Sequence, residues 1–204
     1  MTIPVVADAD ALFQATTRGL LIFLDYQGLI KLHWSPLILD EVSRALVDSG
    51  RKNTLDDAKA HEARMCDALP NAQVSVADVH SAFEAVASAV RSAKDIHVAA
   101  CALYLIAARA YPNALPIALV TRNIKDFKKD ALAGLGIVLM RPDDFLDGLT
   151  SVQSTDVARA FRSFRLDLSS QPDPEALLIR LERDGLGKTV RRLRALEQAG
   201  QVAL

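Results

Sequence analysis

Four acidic side chains fall at positions that a parallel α/β sheet would bring to one edge. Asp8 directly follows the first predicted strand, Asp95 begins a long apolar helix, and Asp126 lies just beyond the most apolar strand. The carboxyl ends of parallel strands share an edge with the starts of the helices that follow them. We therefore expect Asp8, Asp95 and Asp126 to meet there, and Glu41 to join them if its helix crosses the same edge.

A cluster of carboxylates at that edge would suit a magnesium-dependent reaction. Neighbouring carboxylates repel one another, and a divalent cation removes that penalty. Magnesium prefers oxygen ligands and usually keeps several of its waters. The bound ion can lower the pKa of a water and stabilise the charge on a phosphate during transfer. This chemistry needs only carboxylates and a metal ion, so the absence of a catalytic Cys or Ser–His set is no objection to it.

Four basic side chains lie close to the same edge: Arg122, Lys125, Lys128 and Lys129. The formal net charge of the whole chain is -1, so a polyanion would have to be held by a local patch of this kind. A solvated loop and helix face would show the same charges. The sequence alone leaves both interpretations open.

Structural roles also explain some of these residues. Helix starts attract Asp because it caps the helix and complements its dipole, so Asp10 and Asp95 fit simple capping roles. The four histidines have no ligand spacing with each other or with Cys, which argues against a zinc site. His97, two residues after Asp95, is expected to point to another helix face.

The elements that must position these residues alternate between strands and helices. This order is typical of an α/β fold with a parallel sheet and helices on both faces. The predicted strands cover about 3–7, 32–34, 74–76, 117–121 and 137–140, and the predicted helices cover about 12–24, 36–50, 55–69, 78–90, 95–110 and 142–149. We expect a domain at residues 1–149 and a small helical extension at 150–204.

The extension carries basic side chains among apolar ones. Its six bases could form a stripe for RNA or an acidic partner, or could be the solvated face of an amphipathic helix pair. These bases are Arg180, Arg183, Lys188, Arg191, Arg192 and Arg194. The helix-pair interpretation is favoured because leucines repeat between the bases.

The location of the protein is predicted from what the sequence lacks. No segment has the length of a membrane span, and the N-terminus shows no signal-peptide pattern. Cys66 and Cys101 are far apart in apolar helical patterns, which suits reduced, buried thiols. We therefore expect a cytoplasmic protein without membrane contact.

Five short segments, read in order, resemble the PIN-domain family, and in particular its VapC-like toxin ribonucleases. They are VVADADALF, SPLILDEVSRAL, KDIHVAACAL, VTRNIKDF and GIVLMRPDDFL, and the resemblance covers about residues 3–149. Each segment is short and degenerate, and the specificity comes from their order and spacing. The resemblance implies a three-layer α/β/α sandwich and a magnesium- or manganese-dependent endoribonuclease. It also implies the toxin of a type II toxin–antitoxin pair, a cognate antitoxin protein and a possible homodimer.

The resemblance also implies a role for each acidic residue. Asp8 and Asp95 match the family's metal-binding Asp residues, and Glu41 matches the acid that binds a metal water or orients the attacking one. The family places a fourth acid or an Asn near the end of the next strand. Here that region offers Asn123 or Asp126 to complete the shell.

Three further residues belong to the predicted site. Thr121 would hydrogen-bond within the acidic cluster, although a strand Thr needs no such role. Arg122 and Lys125 would touch the phosphate of the RNA substrate.

Two other classes of protein compete with the nuclease hypothesis. A receiver-like signalling domain also places acids at strand ends, but it has no role for an acid inside a helix, as Glu41 is. A catalytically inactive PIN fold that only recruits RNA or a protein partner would keep the fold without the reaction. The uncertain fourth ligand keeps this second alternative open.

Overall fold

The computed structural model describes residues 2–111 and 116–204 and has an α/β fold. A four-stranded parallel sheet forms its centre and helices flank it, so the predicted fold class, the three-layer α/β/α sandwich, is confirmed. The strands are β1 (Ile3–Ala7), β2 (Ile30–His33), β3 (Ile117–Val120) and β4 (Ile137–Met140), and their order in the sheet is β2-β1-β3-β4.

The apolar run at residues 117–120 of the sequence forms the inner strand β3. It pairs with β1, where Val6 lies opposite Leu119, and with β4, where Leu119 lies opposite Leu139. Every residue of β3 is buried. A strand covered on both faces needs apolar side chains at every position, and this is why the run does not alternate.

Twelve α-helices are described, and in five of them a side chain at the N-cap accepts a hydrogen bond from the first turn. Ser35 accepts a hydrogen bond from the Ile38 amide and Pro36 follows at the first helical position, as the sequence predicts. The helices are α1 (Ala9–Leu12), α2 (Ala15–Tyr26), α3 (Pro36–Asp48), α4 (Leu55–Ala68), α5 (Val76–Ser81), α6 (Phe83–Val86), α7 (Ile96–Ala107), α8 (Lys129–Gly134), α9 (Pro142–Val152), α10 (Ser154–Asp167), α11 (Pro174–Arg183) and α12 (Gly187–Gln198).

The strand predicted at residues 74–76 is wrong. The segment before it makes only an isolated bridge between Trp34 and Gln73. Ser75 then accepts a hydrogen bond from the Asp78 amide and caps α5, which begins at Val76. Local capping by Ser75 therefore ends the extended segment before a strand can form.

By contacts, the chain divides into two compact units. The first unit comprises residues 1–13 and 31–140 and contains the sheet. In it, α7 packs against β1 and β3. Its residues from His97 to Ala102 are all buried, which explains why this helix is apolar nearly all round.

The second compact unit comprises residues 14–30 and 141–204 and is mostly helical. Here α10 packs against α2, and α12 packs against α9. Gly19 allows the close approach of α2 and α10, because a Cβ at this position would collide with the Phe164 ring. The predicted domain boundary between residues 149 and 150 stays a prediction. Within the described parts of the chain, no helix has the length and apolar character needed to cross a membrane.

Candidate active site

Asp8 lies where β1 ends and α1 begins. Its amide donates to the Val120 carbonyl at 3.0 Å, so the backbone of β1 and β3 stays paired up to this point. The side chain is only 4% exposed. Its carboxylate accepts hydrogen bonds from the Ala9 amide at 2.6 Å and from the Thr121 hydroxyl at 2.7 Å. Asp8 is therefore the N-cap of α1, held in a buried position at the carboxyl edge of the sheet.

Asp10 joins Asp8 at this edge, a placement that the sequence analysis missed. The Arg122 amide donates to the Asp10 carboxylate at 2.9 Å, and the Thr121 hydroxyl lies 3.2 Å from it. Asp10 therefore reaches across to the end of β3 and does not act as a helix cap. The signal in the sequence is its two-residue spacing from Asp8 directly after a buried strand.

Thr121 links the two aspartates from the end of β3. Its side chain is fully buried, and its hydroxyl lies within hydrogen-bond distance of the carboxylates of both Asp8 and Asp10. A hydroxyl has a single hydrogen to donate, and the shorter distance is to Asp8. The Asn123 amide donates to the same hydroxyl at 3.0 Å. Thr121 thereby fixes how the two carboxylates are oriented.

Glu41 and Asp95 extend this group of acids. Glu41 lies in α3 and its side chain is 40% exposed. Asp95 ends the short 3-10 turn at Ala93–Asp95 that leads into α7, and its side chain makes no capping hydrogen bond. Ser92 provides the cap of that turn by accepting from the Lys94 amide. The capping explanation of Asp95 therefore does not hold in the structure.

The pKa values show that these carboxylates interact with one another. Burial, the Asp10 carboxylate and the Glu41 carboxylate together raise the pKa of Asp8 to about 7. Burial also raises the pKa of Asp10 and of Glu41, and the charges of Asp95 and Asp10 raise that of Glu41 further. Hydrogen bonds from Thr121 and Ala9 offset only part of the rise at Asp8. We call Asp8, Asp10, Glu41 and Asp95 the acidic group.

Asp126 and Asn123 pair with each other through their side chains. The Asn123 side-chain amide donates to the Asp126 carboxylate, and the Asp126 carbonyl accepts from the Arg91 amide. The Asn123 main-chain amide faces Thr121. The structure thus brings the backbone of Asn123 to the acidic group and ties the Asp126 carboxylate to Asn123.

The nearby basic residues differ in what they contact. The Arg122 amide bonds to Asp10, and the Arg122 charge lowers the pKa of that carboxyl, although burial outweighs it. Lys128 donates from Nζ to the Ser88 carbonyl at 2.9 Å. Lys125 and Lys129 are exposed. The exposed lysines are therefore the better placed of these bases to meet an incoming polyanion.

His97 also belongs to this region. Its Nε2 lies 3.7 Å from Glu41 Oε1, and the side chain is only 8% exposed. Burial lowers the pKa of His97.

The acidic group is looser than a preformed metal cage. Among residues 2–111 and 116–204, no three His, Cys, Asp or Glu side chains form a group that could hold a metal ion.

Comparisons with known proteins give no matching family model, no similar curated protein and no similar solved structure.

Proposed function

We propose that this chain is a metal-dependent endoribonuclease of the PIN-domain type that hydrolyses RNA phosphodiester bonds. The observation that carries the proposal is the acidic group, of which Asp8 and Asp10 lie at the carboxyl edge of the sheet. Asp8, Asp10 and Glu41 have raised pKa values, so their ionisation at neutral pH destabilises the fold. Perturbed carboxylates of this kind concentrate at functional sites. The five sequence segments that resemble the PIN family supply the reaction class.

The donor set of the acidic group fits magnesium or manganese. All its atoms are carboxylate oxygens, the ligands that hard divalent cations prefer. Magnesium is commonly held by one or two carboxylates with water in the remaining positions, so a group of three is not required. Asp8, with a pKa of about 7, would be kept ionised at neutral pH by a neighbouring cation.

Each residue of the acidic group has a role in this proposal. Asp8 and Asp95 would hold the ion, which would supply positive charge for the phosphate and lower the pKa of the attacking water. Glu41, half-exposed at the rim, would accept a hydrogen bond from that water and orient it. Thr121 holds the Asp8 carboxylate in position through its 2.7 Å hydrogen bond.

The fourth acidic position is better filled by Asp10 than by Asp126 or Asn123. The Asp10 carboxylate shares the Thr121 hydroxyl with Asp8, and its charge raises the pKa of both Asp8 and Glu41. The Asp126 carboxylate instead accepts from the Asn123 side chain. We therefore assign Asp10 to the site and give the Asn123–Asp126 pair the task of shaping the loop after β3.

The bases after β3 would bind the substrate. Lys125 is exposed and would contact an RNA phosphate directly, whereas Arg122 would act from beside Asp10. The resemblance to VapC-like toxins further leads us to propose a type II toxin with a cognate antitoxin protein, a possible homodimer, and a cytoplasmic location where its RNA would be found.

Cleavage of single-stranded RNA with added magnesium tests the proposal. The wild-type chain is expected to cut RNA, and Asp8→Asn and Asp95→Asn are expected to abolish cutting. Asp48→Asn is the matched control, because Asp48 is an exposed residue at the end of α3. Full activity in both site variants would contradict the proposal. A folded wild-type chain that never cuts RNA would favour the alternative, an inactive PIN-fold module that recruits RNA or a protein.

A further inference from the structure

A polar cleft opens beside Glu41, and the nuclease proposal gives it no role. It has a volume of about 260 Å3 and lies between α3, the α5–α6 segment and the start of α7. Its lining includes Arg44 of α3, His80 and Phe83 of the α5–α6 segment, and His97 of α7. Typical sites for small molecules measure about 300–1,000 Å3. The cleft is therefore smaller than a typical small-molecule site, and one base with its sugar is the largest unit that we place in it.

His97 presents an unsatisfied hydrogen-bonding atom to this cleft. The residue is 6% exposed, and its Nε2 is buried without a hydrogen-bond partner in the described structure. Nε2 can accept or donate a hydrogen bond, according to the tautomer of the ring. The Glu41 carboxylate oxygen is 3.7 Å from Nε2, beyond hydrogen-bond distance. Because buried polar atoms are normally paired, this position calls for a hydrogen-bond partner from outside the chain.

The α5–α6 segment lines the cleft with two aromatic rings, those of His80 and Phe83. The rings of His80 and Phe83 meet edge to face with their centroids 4.8 Å apart. Phe83 is half-buried and His80 is exposed. Aromatic surfaces of this type stack on unpaired bases of single-stranded nucleic acids. Arg44 is exposed at the rim, where it pairs with Asp40 at 3.4 Å and its remaining guanidinium N–H groups can contact a phosphate.

We propose that this cleft binds one ribonucleotide of single-stranded RNA beside the bond that is cut, with its 2′-hydroxyl hydrogen-bonded to His97 Nε2. The proposal rests on the nuclease function proposed above and adds a basis for choosing RNA. The base would stack on Phe83, and Arg44 would contact the adjoining phosphate. Because DNA lacks the 2′-hydroxyl, it would leave the His97 nitrogen unpaired. His97 is therefore a specificity-determining residue in this account.

Binding can be measured apart from cleavage. Fluorescence anisotropy with a short single-stranded RNA and a DNA of matched sequence, both in EDTA, excludes metal-dependent cutting. The wild-type chain is expected to bind RNA more tightly than DNA. Phe83→Ala is expected to weaken both by roughly 5- to 150-fold, the range for one stacked base. Arg64→Ala removes an exposed cation of α4 outside the cleft lining and is the control expected to bind like the wild type.

His97 variants give the decisive readout. His97→Phe fills the same space without a hydrogen-bonding nitrogen, so RNA affinity should fall about 2- to 12-fold, the range for one neutral hydrogen bond, while DNA affinity stays constant. His97→Gln, which restores a polar group near the Nε2 position, should recover part of the preference. A merely structural role for His97 would lower RNA and DNA binding equally, and this result would overturn the proposal, as would wild-type binding that does not distinguish RNA from DNA. Thermal melting confirms that each variant is folded.

The outcomes separate this proposal from the function on which it rests. RNA cleavage by the wild-type chain that is unaffected by Phe83→Ala and His97→Phe, with no RNA preference in binding, would remove the cleft proposal and leave the nuclease intact. RNA-selective binding that depends on His97, in a chain that never cuts RNA with magnesium, would support the cleft and remove the nuclease.

Discussion

Two sets of carboxylates have opposite surroundings: the acidic group in the sheet-containing unit, and Asp143 with Asp147 in the helical unit. In the helical unit, Asp147 receives two hydrogen bonds from the Arg192 guanidinium, at 2.5 and 3.0 Å. Asp143 accepts from the amides of Lys188 and Thr189 at the start of α12. Each of these acids meets a cation or a helix N-terminus, which favours its charged form.

The carboxylates of the acidic group, in the sheet-containing unit, instead interact with one another. Burial and the neighbouring acids raise the pKa of Asp8 to about 7, whereas Arg192 lowers the pKa of Asp147. Ionisation of Asp147 therefore stabilises the fold, whereas ionisation of Asp8 destabilises it. Acids that stabilise a fold are paired, so this contrast supports our proposal that the acidic group binds a ligand.

The basic residues of the C-terminal helices are also partly paired with acids. Three of the six bases in the predicted stripe are in ion pairs with acids of their own unit. Lys188 pairs with Asp144, Arg192 with Asp147, and Arg194 with Glu175. The favoured interpretation of this segment, a packed amphipathic helix pair, agrees with these contacts and with the burial of Leu177, Leu181 and Leu193.

The largest expected effect is on catalysis. Asp8→Asn should lower RNA cleavage by at least ~100-fold, because a ligand of the proposed ion is lost. Asp147→Asn removes a paired acid of the helical unit and should leave the specific activity unchanged. The measurement is the initial cleavage rate with saturating magnesium. Equal losses in the two variants would show that the contrast between the units has no functional meaning.

The second prediction concerns stability and its pH dependence. The folded chain holds a proton on Asp8 up to about pH 7, whereas the unfolded chain releases it near pH 4. Asp8 therefore contributes its full stability below pH 4, and the contribution is lost as the pH rises through 7. Relative to the wild type, Asp8→Asn should gain on the order of 1–3 kcal/mol between pH 4 and pH 8. Urea unfolding across this range, without metal, measures the gain, and a pH-independent difference would contradict it.

A smaller loss is expected when the cap of α12 is removed. Asp143→Ala deletes the acceptor of the Lys188 and Thr189 amides and should destabilise the fold by about 1–2 kcal/mol. Asp143→Asn keeps an acceptor oxygen and should retain most of the stability. Chemical unfolding of both variants at neutral pH measures the difference. If the two variants unfold alike, the hydrogen bonds at this helix start do not stabilise the unit.

The smallest effect is expected for the partly exposed ion pair. The Arg192 side chain is 40% exposed, so its pair with Asp147 should contribute only about 0.2–1 kcal/mol. A double-mutant cycle with Arg192→Gln and Asp147→Asn isolates this coupling. High salt should reduce it. A coupling well above this range would mean that the pair is far better shielded than its exposure indicates.

The sequence predicts the fold well because buried strands and capped helices are local features. Residues 3–7 and 117–120 are apolar at nearly every position, and Ser35-Pro36 has the pattern of a helix start. The segment at 74–76 fails because two valines resemble a strand, while the Ser75 cap depends on a single hydrogen bond.

The candidate site is predicted less completely because its contacts join distant parts of the chain. Asp8 and Thr121 are found from their positions at strand ends. In the sequence Asp10 resembles a helix cap, and only the structure shows that its carboxylate accepts from the Arg122 amide. His97 approaches Glu41 across two helices, α7 and α3, and the periodicity of neither helix reveals this contact.

Magnesium binding tests the central claim most directly. Titration calorimetry should detect binding to the intact chain and none to the Asp8→Asn, Asp95→Asn double variant. A double variant at two exposed acids of the same unit, Asp48→Asn with Asp130→Asn, should bind like the intact chain. Binding that survives in the site variant, or no binding to the intact chain, would contradict the claim that the acidic group holds the ion.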